Sequence, residues 1–260
     1  MIIIQEELTN ETHLYGWKSE PPLTPFAPNY AYYLTDKKIF SEEECKEWNT
    51  YLLEQEQILL DKFRISLGEG GTGLGIASIT SRYNFFNVLG FDFYLVSKLK
   101  KALYDGIKTI LSVSDNTNWY ETLYGRSWFN VLRKEEAMDT HSHGYHKNSF
   151  YGFHVTISAT ETFTSYYHPV KFQEVKVGGT FHVPNKIGNL TLFPNHIPHS
   201  VSPNRYETPR ISIAGDINSS TWLDEFKDYP TKTANLVEIG TYNSDGTTLP
   251  IDPLSNIVRH

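Results

Sequence analysis

Eight of the ten histidines in this chain fall between residues 141 and 199. Two stand two apart in Asp139-Thr140-His141-Ser142-His143, and another, His199, closes Phe193-Pro194-Asn195-His196-Ile197-Pro198-His199. Imidazole is the commonest metal ligand among side chains. On a strand, residues i and i+2 face the same way, so His141 and His143 can grip one ion together. A single histidine from a later segment then completes a site open on one side. Beyond His199 comes Arg210-Ile211-Ser212, again a pair two apart, in an apolar run that continues through Ile213 and Ala214. An arginine facing inward in such a run needs an anionic partner. Its planar fork of donors suits a carboxylate held through two bonds. The residues alone therefore point to a cation and an anionic ligand held side by side inside a β barrel.

The elements that must position them can be read in part. From Trp119 onward, short strand-like runs are broken by turn residues: 128–132, 150–157, 172–177, 180–183, 190–193 and 210–214. This spacing suggests a double-sheet β fold rather than alternating β/α units. Two helices should precede it. Ser41-Glu42-Glu43-Glu44 reads as a capping box, opening a helix to about Lys62 with Trp48, Leu52, Ile58 and Leu59 on its buried side and Cys45 among them. Asp92 can cap a second helix, in which Val96, Leu99, Leu103, Ile107 and Ile110 recur at helical spacing. Lys98, Lys100, Lys101 and Lys108 fall mostly on its wet side. Residues 1–35 read as irregular and proline-bearing, apart from a strand near 30–34. Residues 68–75 form a glycine-rich loop without the Lys-Ser/Thr ending of a phosphate-binding loop, and a lid or surface loop is expected there. After Asp216 the chain is polar, and a wrapping tail is expected.

Composition narrows the partners. A chain of 260 residues with net charge −7, 39% hydrophobic and 14% aromatic, can build a core and line a small-molecule pocket, but lacks the basic field of a polyanion binder. Nucleic acid is therefore not the expected partner. A lone cysteine, Cys45, permits no intramolecular disulfide and suits a reducing compartment. The amino terminus lacks the basic start and long apolar run of a signal peptide, and no stretch approaches membrane-spanning length. The expectation is a soluble, cytoplasmic protein; oligomeric state is not legible.

The pattern His-x-His, then Gly-x-Leu-x-Leu-Phe-Pro-x-x-x-x-His-x-Val over 188–201, then Arg-x-Ser, resembles the Fe(II)- and 2-oxoglutarate-dependent oxygenases. More narrowly, it resembles their microbial and phage branch with a His-x-His motif. The resemblance covers about residues 128–217. It implies a mainly β, α+β architecture whose core is a double-stranded β-helix, the jelly-roll or cupin-like arrangement, buttressed by helices. It implies a single catalytic domain: helical support over 1–117, the jelly-roll core with its metal site over 118–217, and a C-terminal tail over 218–260. It also implies Fe(II), 2-oxoglutarate as cosubstrate and O2, with release of succinate and CO2 and hydroxylation of a C–H bond as the default outcome.

Residue by residue, the resemblance makes His141 and His199 metal ligands. Arg210 would hold the far carboxylate of 2-oxoglutarate, with Ser212 donating beside it and Asn130 contacting the cosubstrate. One position departs from the common pattern, in which His-x-Asp or His-x-Glu supplies a carboxylate. Three readings stay open: His143 ligates, Asp139 supplies the carboxylate from the same face, or the position is left to water or an anion. An all-histidine set would leave the iron more positive. His146, His154, His168 and His182 are candidate pocket or loop histidines, and His196 lies close to His199 without being expected to ligate. The alternatives are a cupin-like metal dioxygenase that uses no keto acid, and so has no use for Arg210 and Ser212, and a non-catalytic jelly-roll binding or structural module.

Overall fold

The capping box at the head of the first helix forms as expected. Ser41 Oγ accepts the Glu44 amide at 3.2 Å, and Glu44 Oε2 accepts the Ser41 amide at 2.7 Å. In the computed structural model, which describes residues 2–9, 12–19, 21–27, 29–65, 68, 71–114, 121–144, 150–167, 179–219 and 235–242, helix α1 runs over Glu42–Lys62 and α2 over Leu95–Val113. Cys45, Trp48, Leu52 and Leu59 are buried on α1, whereas Ile58, expected inside, faces solvent. The apolar stripe of α2 is buried throughout. This helix starts at Leu95 behind Tyr94, with no side-chain cap, so Asp92 does not cap it. Lys100, expected on the wet side, is buried, and burial pushes its ammonium down against the opposing pull of the Glu238 carboxylate.

The strands are β1 (Ile2–Thr9), β2 (Thr12–Lys18), β3 (Ala31–Lys38), β4 (Glu121–Leu132), β5 (Met138–His141), β6 (Tyr151–Ser158), β7 (Phe163–Tyr167), β8 (Thr180–Pro184), β9 (Asn189–Pro194), β10 (His199–Val201), β11 (Arg210–Ser219) and β12 (Val237–Tyr242). They form two antiparallel sheets. The large one has the order β1-β2-β3-β9-β6-β11-β4-β12 and the small one β5-β10-β7-β8. From β4 to β11 the chain passes large, small, large, small, small, large, small, large. Eight strands wound in this way between two facing sheets make a jelly roll, and the fold is α+β with a jelly-roll core.

The amino-terminal segment departs from the expectation of irregular chain. Its prolines at 21, 22 and 25 are confined to the link between β2 and β3, while Thr12–Lys18 alternates buried and half-buried positions and pairs with β3 from Thr12↔Lys37 to Lys18↔Ala31. This hairpin extends the large sheet past β9 through Thr35↔Leu192. The polar carboxy-terminal part likewise contributes a strand, β12, on β4, and β11 runs on to Ser219. The run expected at 172–177 and the helix stop expected at 115–118 lie outside the described residues, as do His146 and His168.

Period-two alternation on the central strands divides two environments. Phe129 and Val131 on β4, Phe153 and Val155 on β6, and Ile211 and Ile213 on β11 pack with Trp48, Leu52, Leu99 and Leu103 of the helices. The alternate residues face the small sheet, where Leu34, Tyr166, Val183, Phe193 and Ile197 close the space between the layers. Fully burying each such large side chain contributes roughly 1.5–3 kcal/mol, so the helices fix the floor on which the polar residues stand. Among the described residues, no helix is long and apolar enough to cross a membrane.

Candidate active site

β10 lies between β5 and β7 in the small sheet, and its first residue, His199, pairs directly with His141, the last residue of β5. His143 lies beyond the strand end rather than on it. It is held there by its backbone N–H, which donates to Asn195 O at 2.9 Å. The expected pairing of His141 with His143 therefore comes from a strand end and the turn after it. One potential ligand atom from each of His141, His143 and His199 lies within 4.8 Å of the others.

Each imidazole is oriented by a different acceptor. His141 Nδ1–H donates to Asp139 O at 2.8 Å, and His199 Nδ1–H to Ile197 O at 3.0 Å. His143 Nδ1–H donates to the Asp216 carboxylate at 2.8 Å. With Nδ1 occupied as a donor, Nε2 of each neutral ring keeps its lone pair, the state a metal requires. Burial holds His141 down at about 4, and it holds His199, crowded by His143 and His141, well below the ordinary histidine range. Burial alone would raise the Asp216 carboxyl, but His143 and the Arg126 guanidinium, 3.2 Å away, hold it below the usual carboxylate range.

The floor of the cavity is a grid across β4, β11 and β6. Arg126, Asp216 and Gly152 form one row; Trp128, Ala214 and His154 the next; Asn130, Ser212 and Thr156 the third. Two small residues make room. A Cβ on Gly152 would sit 2.9 Å from the Phe193 ring and 3.2 Å from His143 Nδ1, and Ala214 stands between Trp128 and His154 on the neighbouring strands. Arg210, on the same face of β11, is 1% exposed. Its Nη1 donates to Ser212 Oγ at 3.1 Å, and its Nε has no partner among the described residues. Burial pushes the guanidinium down to about 10, so it stays charged at neutral pH. Among the described residues no carboxylate forms an ion pair with it. Ser212 Oγ also accepts Asn130 Nδ2 at 3.3 Å, and Asn130 Oδ1 accepts Thr80 Oγ1 at 2.9 Å. With two donors on its oxygen, the Ser212 hydroxyl hydrogen is left to donate into the cavity.

The three clustered imidazoles, Asn130, Arg210, Ser212 and Asp216 line one cavity of about 130 Å³, walled also by Thr72, Tyr83, Met138 and Val201; Asp139 is not part of its lining. Asp139 points elsewhere: its carboxylate lies against Gly73 of the glycine-rich loop, 2.4 Å from where a Cβ would be, and its backbone N–H donates to Thr72 O. That loop is thus docked along β5 and contributes Thr72 to the cavity wall. Of the four further histidines, His154 lines the cavity and His182 is exposed with its Nδ1 on Ser165 Oγ. His196 packs on Tyr32, away from the three-histidine cluster. Two residues escaped the sequence reading: Asp216, which braces His143, and Arg126, which braces Asp216. The signal was there, because 210, 212, 214 and 216 on β11 share one face, as do 126, 128 and 130 on β4.

A jelly roll that gathers His-x-His, a later histidine and an inward Arg-x-Ser at one end resembles the core of the 2-oxoglutarate/Fe(II)-dependent oxygenases. Within that class, residues 126–216 match the family described as "Putative 2OG-Fe(II) oxygenase", and the matched segment spans the cluster, Arg210 and Ser212. Fe(II) and 2-oxoglutarate are the cofactors of this class. No curated protein matches the chain in sequence. Among solved structures it is similar to a prolyl-4-hydroxylase from Pseudomonas putida, at 11% identity and TM-score 0.43 over 71% of this chain and 91% of that one. It is also similar to the non-heme alpha-ketoglutarate-dependent carbocyclase SnoK from nogalamycin biosynthesis, at 12% identity and TM-score 0.45 over 71% and 79%. A third is EvdO2 from Micromonospora carbonacea var. aurantiaca complexed with 2-oxoglutarate, at 13% identity and TM-score 0.43 over 72% and 86%.

Proposed function

We propose that the protein is a dioxygenase that hydroxylates a C–H bond of a small molecule, an amino acid or a peptide side chain. His141, His143 and His199 would hold Fe(II) through Nε2. Arg210 would hold the distal carboxylate of 2-oxoglutarate, with Ser212 donating beside it and Asn130 fixing Ser212. The observation that carries this reading is the Arg210 guanidinium, buried beside the imidazole cluster with an unpartnered Nε. An isolated buried charge costs several kcal/mol, and a carboxylate ligand would remove that cost. A metal enzyme without a keto acid leaves Arg210 unexplained.

The donor set fits the metal. Three neutral imidazoles suit iron as well as zinc, copper and nickel, and the family match selects iron. When bound, the iron and keto acid supply the oxidising chemistry, in which O2 is consumed and 2-oxoglutarate becomes succinate and CO2. The chain's own residues bind, orient and shield. Asp216 and the carbonyls of Asp139 and Ile197 keep each Nδ1 protonated and each ring at a fixed angle. Arg210 and Ser212 fix the far end of the oxoacid. Trp128, Phe193, Met138 and Val201 give the cavity apolar walls that exclude water. No protein carboxylate belongs to the ligand set in this reading; the nearest negative charge reaches the metal through His143, from Asp216.

The acidic, aromatic-rich composition supports a small molecule, amino acid or peptide as substrate rather than DNA. The test is a screen for compounds that stimulate succinate release by the iron-loaded enzyme. Stimulation by amino acids, peptides or small metabolites is the expected result. Stimulation by oligonucleotides alone would overturn the substrate class, and no 2-oxoglutarate consumption with any class would overturn the activity.

A further inference from the structure

His154 stands on β6 at the centre of the large sheet, 7% exposed, and lines the same cavity as Arg210. Its Nε2 lies 2.7 Å from Tyr166 Oη across the gap between the sheets. Among the described residues its buried Nδ1 has no partner, and neither has the buried Nε of Arg210. Two adjacent strands of the large sheet, β6 and β11, thus bring two orphaned nitrogens to the lining of one pocket.

The tautomer of His154 follows from counting hydrogens. Tyr166 is 0% exposed and its hydroxyl carries one hydrogen. If His154 Nε2–H donated to Tyr166, the tyrosine hydrogen and the Nδ1 lone pair would both be buried without partners. If Tyr166 donates to Nε2, the neutral ring carries its hydrogen on Nδ1, and only one group is left unsatisfied. Buried polar groups without partners are costly, so the second arrangement is favoured. It leaves an N–H donor on a side chain that lines the same cavity as a guanidinium whose Nε–H also lacks an acceptor among the described residues. One ligand chemistry answers both: a carboxylate, which accepts up to four hydrogen bonds.

We infer that His154, fixed by Tyr166, is a further donor, beside Arg210 and Ser212, to the oxoacid carboxylate, and that it strengthens the preference for a keto acid with a distal carboxylate. This rests on the reading of Arg210 given above. Tyr166 is a positioning residue, since it acts only through the ring it orients.

The test is an anaerobic equilibrium titration of the Fe(II)-loaded, full-length protein with 2-oxoglutarate and with 2-oxobutyrate, which lacks the distal carboxylate. Wild type, His154→Leu, His154→Asn, Tyr166→Phe and Arg210→Met are compared. His154→Leu should weaken 2-oxoglutarate roughly tenfold, the loss of one charge-assisted hydrogen bond, while Fe(II) and 2-oxobutyrate affinities hold. His154→Asn, whose amide nitrogen can stand where Nδ1 stood, should recover most of the loss, and Tyr166→Phe should fall between. Equal weakening of both keto acids, or no rescue by asparagine, would make His154 a packing residue and overturn the inference. Normal 2-oxoglutarate binding in Arg210→Met would instead overturn the reading of the anchor, and the inference with it. If His154→Leu does not fold, the asparagine and Tyr166→Phe variants decide: unchanged selectivity in Tyr166→Phe, with 2-oxoglutarate weakened about tenfold in His154→Asn, counts against it.

Discussion

Each of the three clustered imidazoles is set by a separate acceptor, and one of these, Asp216, is a side chain that can be changed. Replacing Asp216 with Asn removes the charge behind His143 and the partner of Arg126. Changing such a hydrogen-bond partner of a ligating histidine typically costs 10–100-fold, on the order of one to two decades, in metal affinity. Asp216→Asn should therefore weaken Fe(II) binding by that range, and His199→Ala should abolish stoichiometric iron. Equilibrium competition with a chelator measures both. The buried histidines also predict acid sensitivity. His154 is held down at about 3 and His141 at about 4 by burial, against an ordinary 6.5. Below that value the unfolded chain takes up protons that the folded one refuses. Stability of the metal-free protein is then fully present above the unfolded value and is lost as pH falls. The slope is up to about 1.4 kcal/mol per pH unit for each such group. Denaturant melts at pH 7 and pH 5 should show the loss, with a shallower slope in His154→Gln; equal slopes would contradict it. His199 was read from its motif and Asn130 only from the resemblance, whereas that Arg210 and Ser212 line the cavity together was legible because side chains two apart on a strand share a face. The position of Asp139 was not, because the same rule places it beside His141 while contact with Gly73 turns its carboxylate away.

Among the elements, the strands of the core and the helix cap were readable from period and turn chemistry. The amino-terminal hairpin was not, because prolines between β2 and β3 masked its alternation, and its pairing partner, β9, is remote in sequence. Two substitutions test the element boundaries. Ser41→Ala removes the side-chain half of the capping box on α1 and should cost about 1 kcal/mol. Gly188, at φ +82°, is the hinge into β9: its carbonyl accepts the Ile39 and Phe40 amides, and a Cβ would stand 2.2 Å from Phe40 O. Because backbone rather than a mobile side chain blocks the space, Gly188→Ala should cost roughly 2–4 kcal/mol. Thermal melts separate the two; equal, small losses would mean that the β8–β9 turn is not held as described.

At the scale of the molecule, helices on the outer face of the large sheet hold the central strands in register, and the small sheet supplies two of the three clustered histidines. A ligand bound only by this assembled arrangement stabilises it, by about 2.7 kcal/mol at a hundredfold excess over its Kd. Fe(II) with 2-oxoglutarate should therefore raise the melting temperature by several degrees, and a chelator should reverse it. In Arg210→Met the increment due to 2-oxoglutarate should vanish while that due to iron remains. The most direct test of the central claim is an anaerobic titration of the metal-free protein with Fe(II) and then 2-oxoglutarate, following the visible metal-to-ligand charge-transfer band in wild type, His143→Ala and Arg210→Met. The account predicts a band in wild type, loss of iron in His143→Ala, and iron without the band at the same 2-oxoglutarate concentration in Arg210→Met. Iron bound by wild type with no band, or a band undiminished in Arg210→Met, would contradict it.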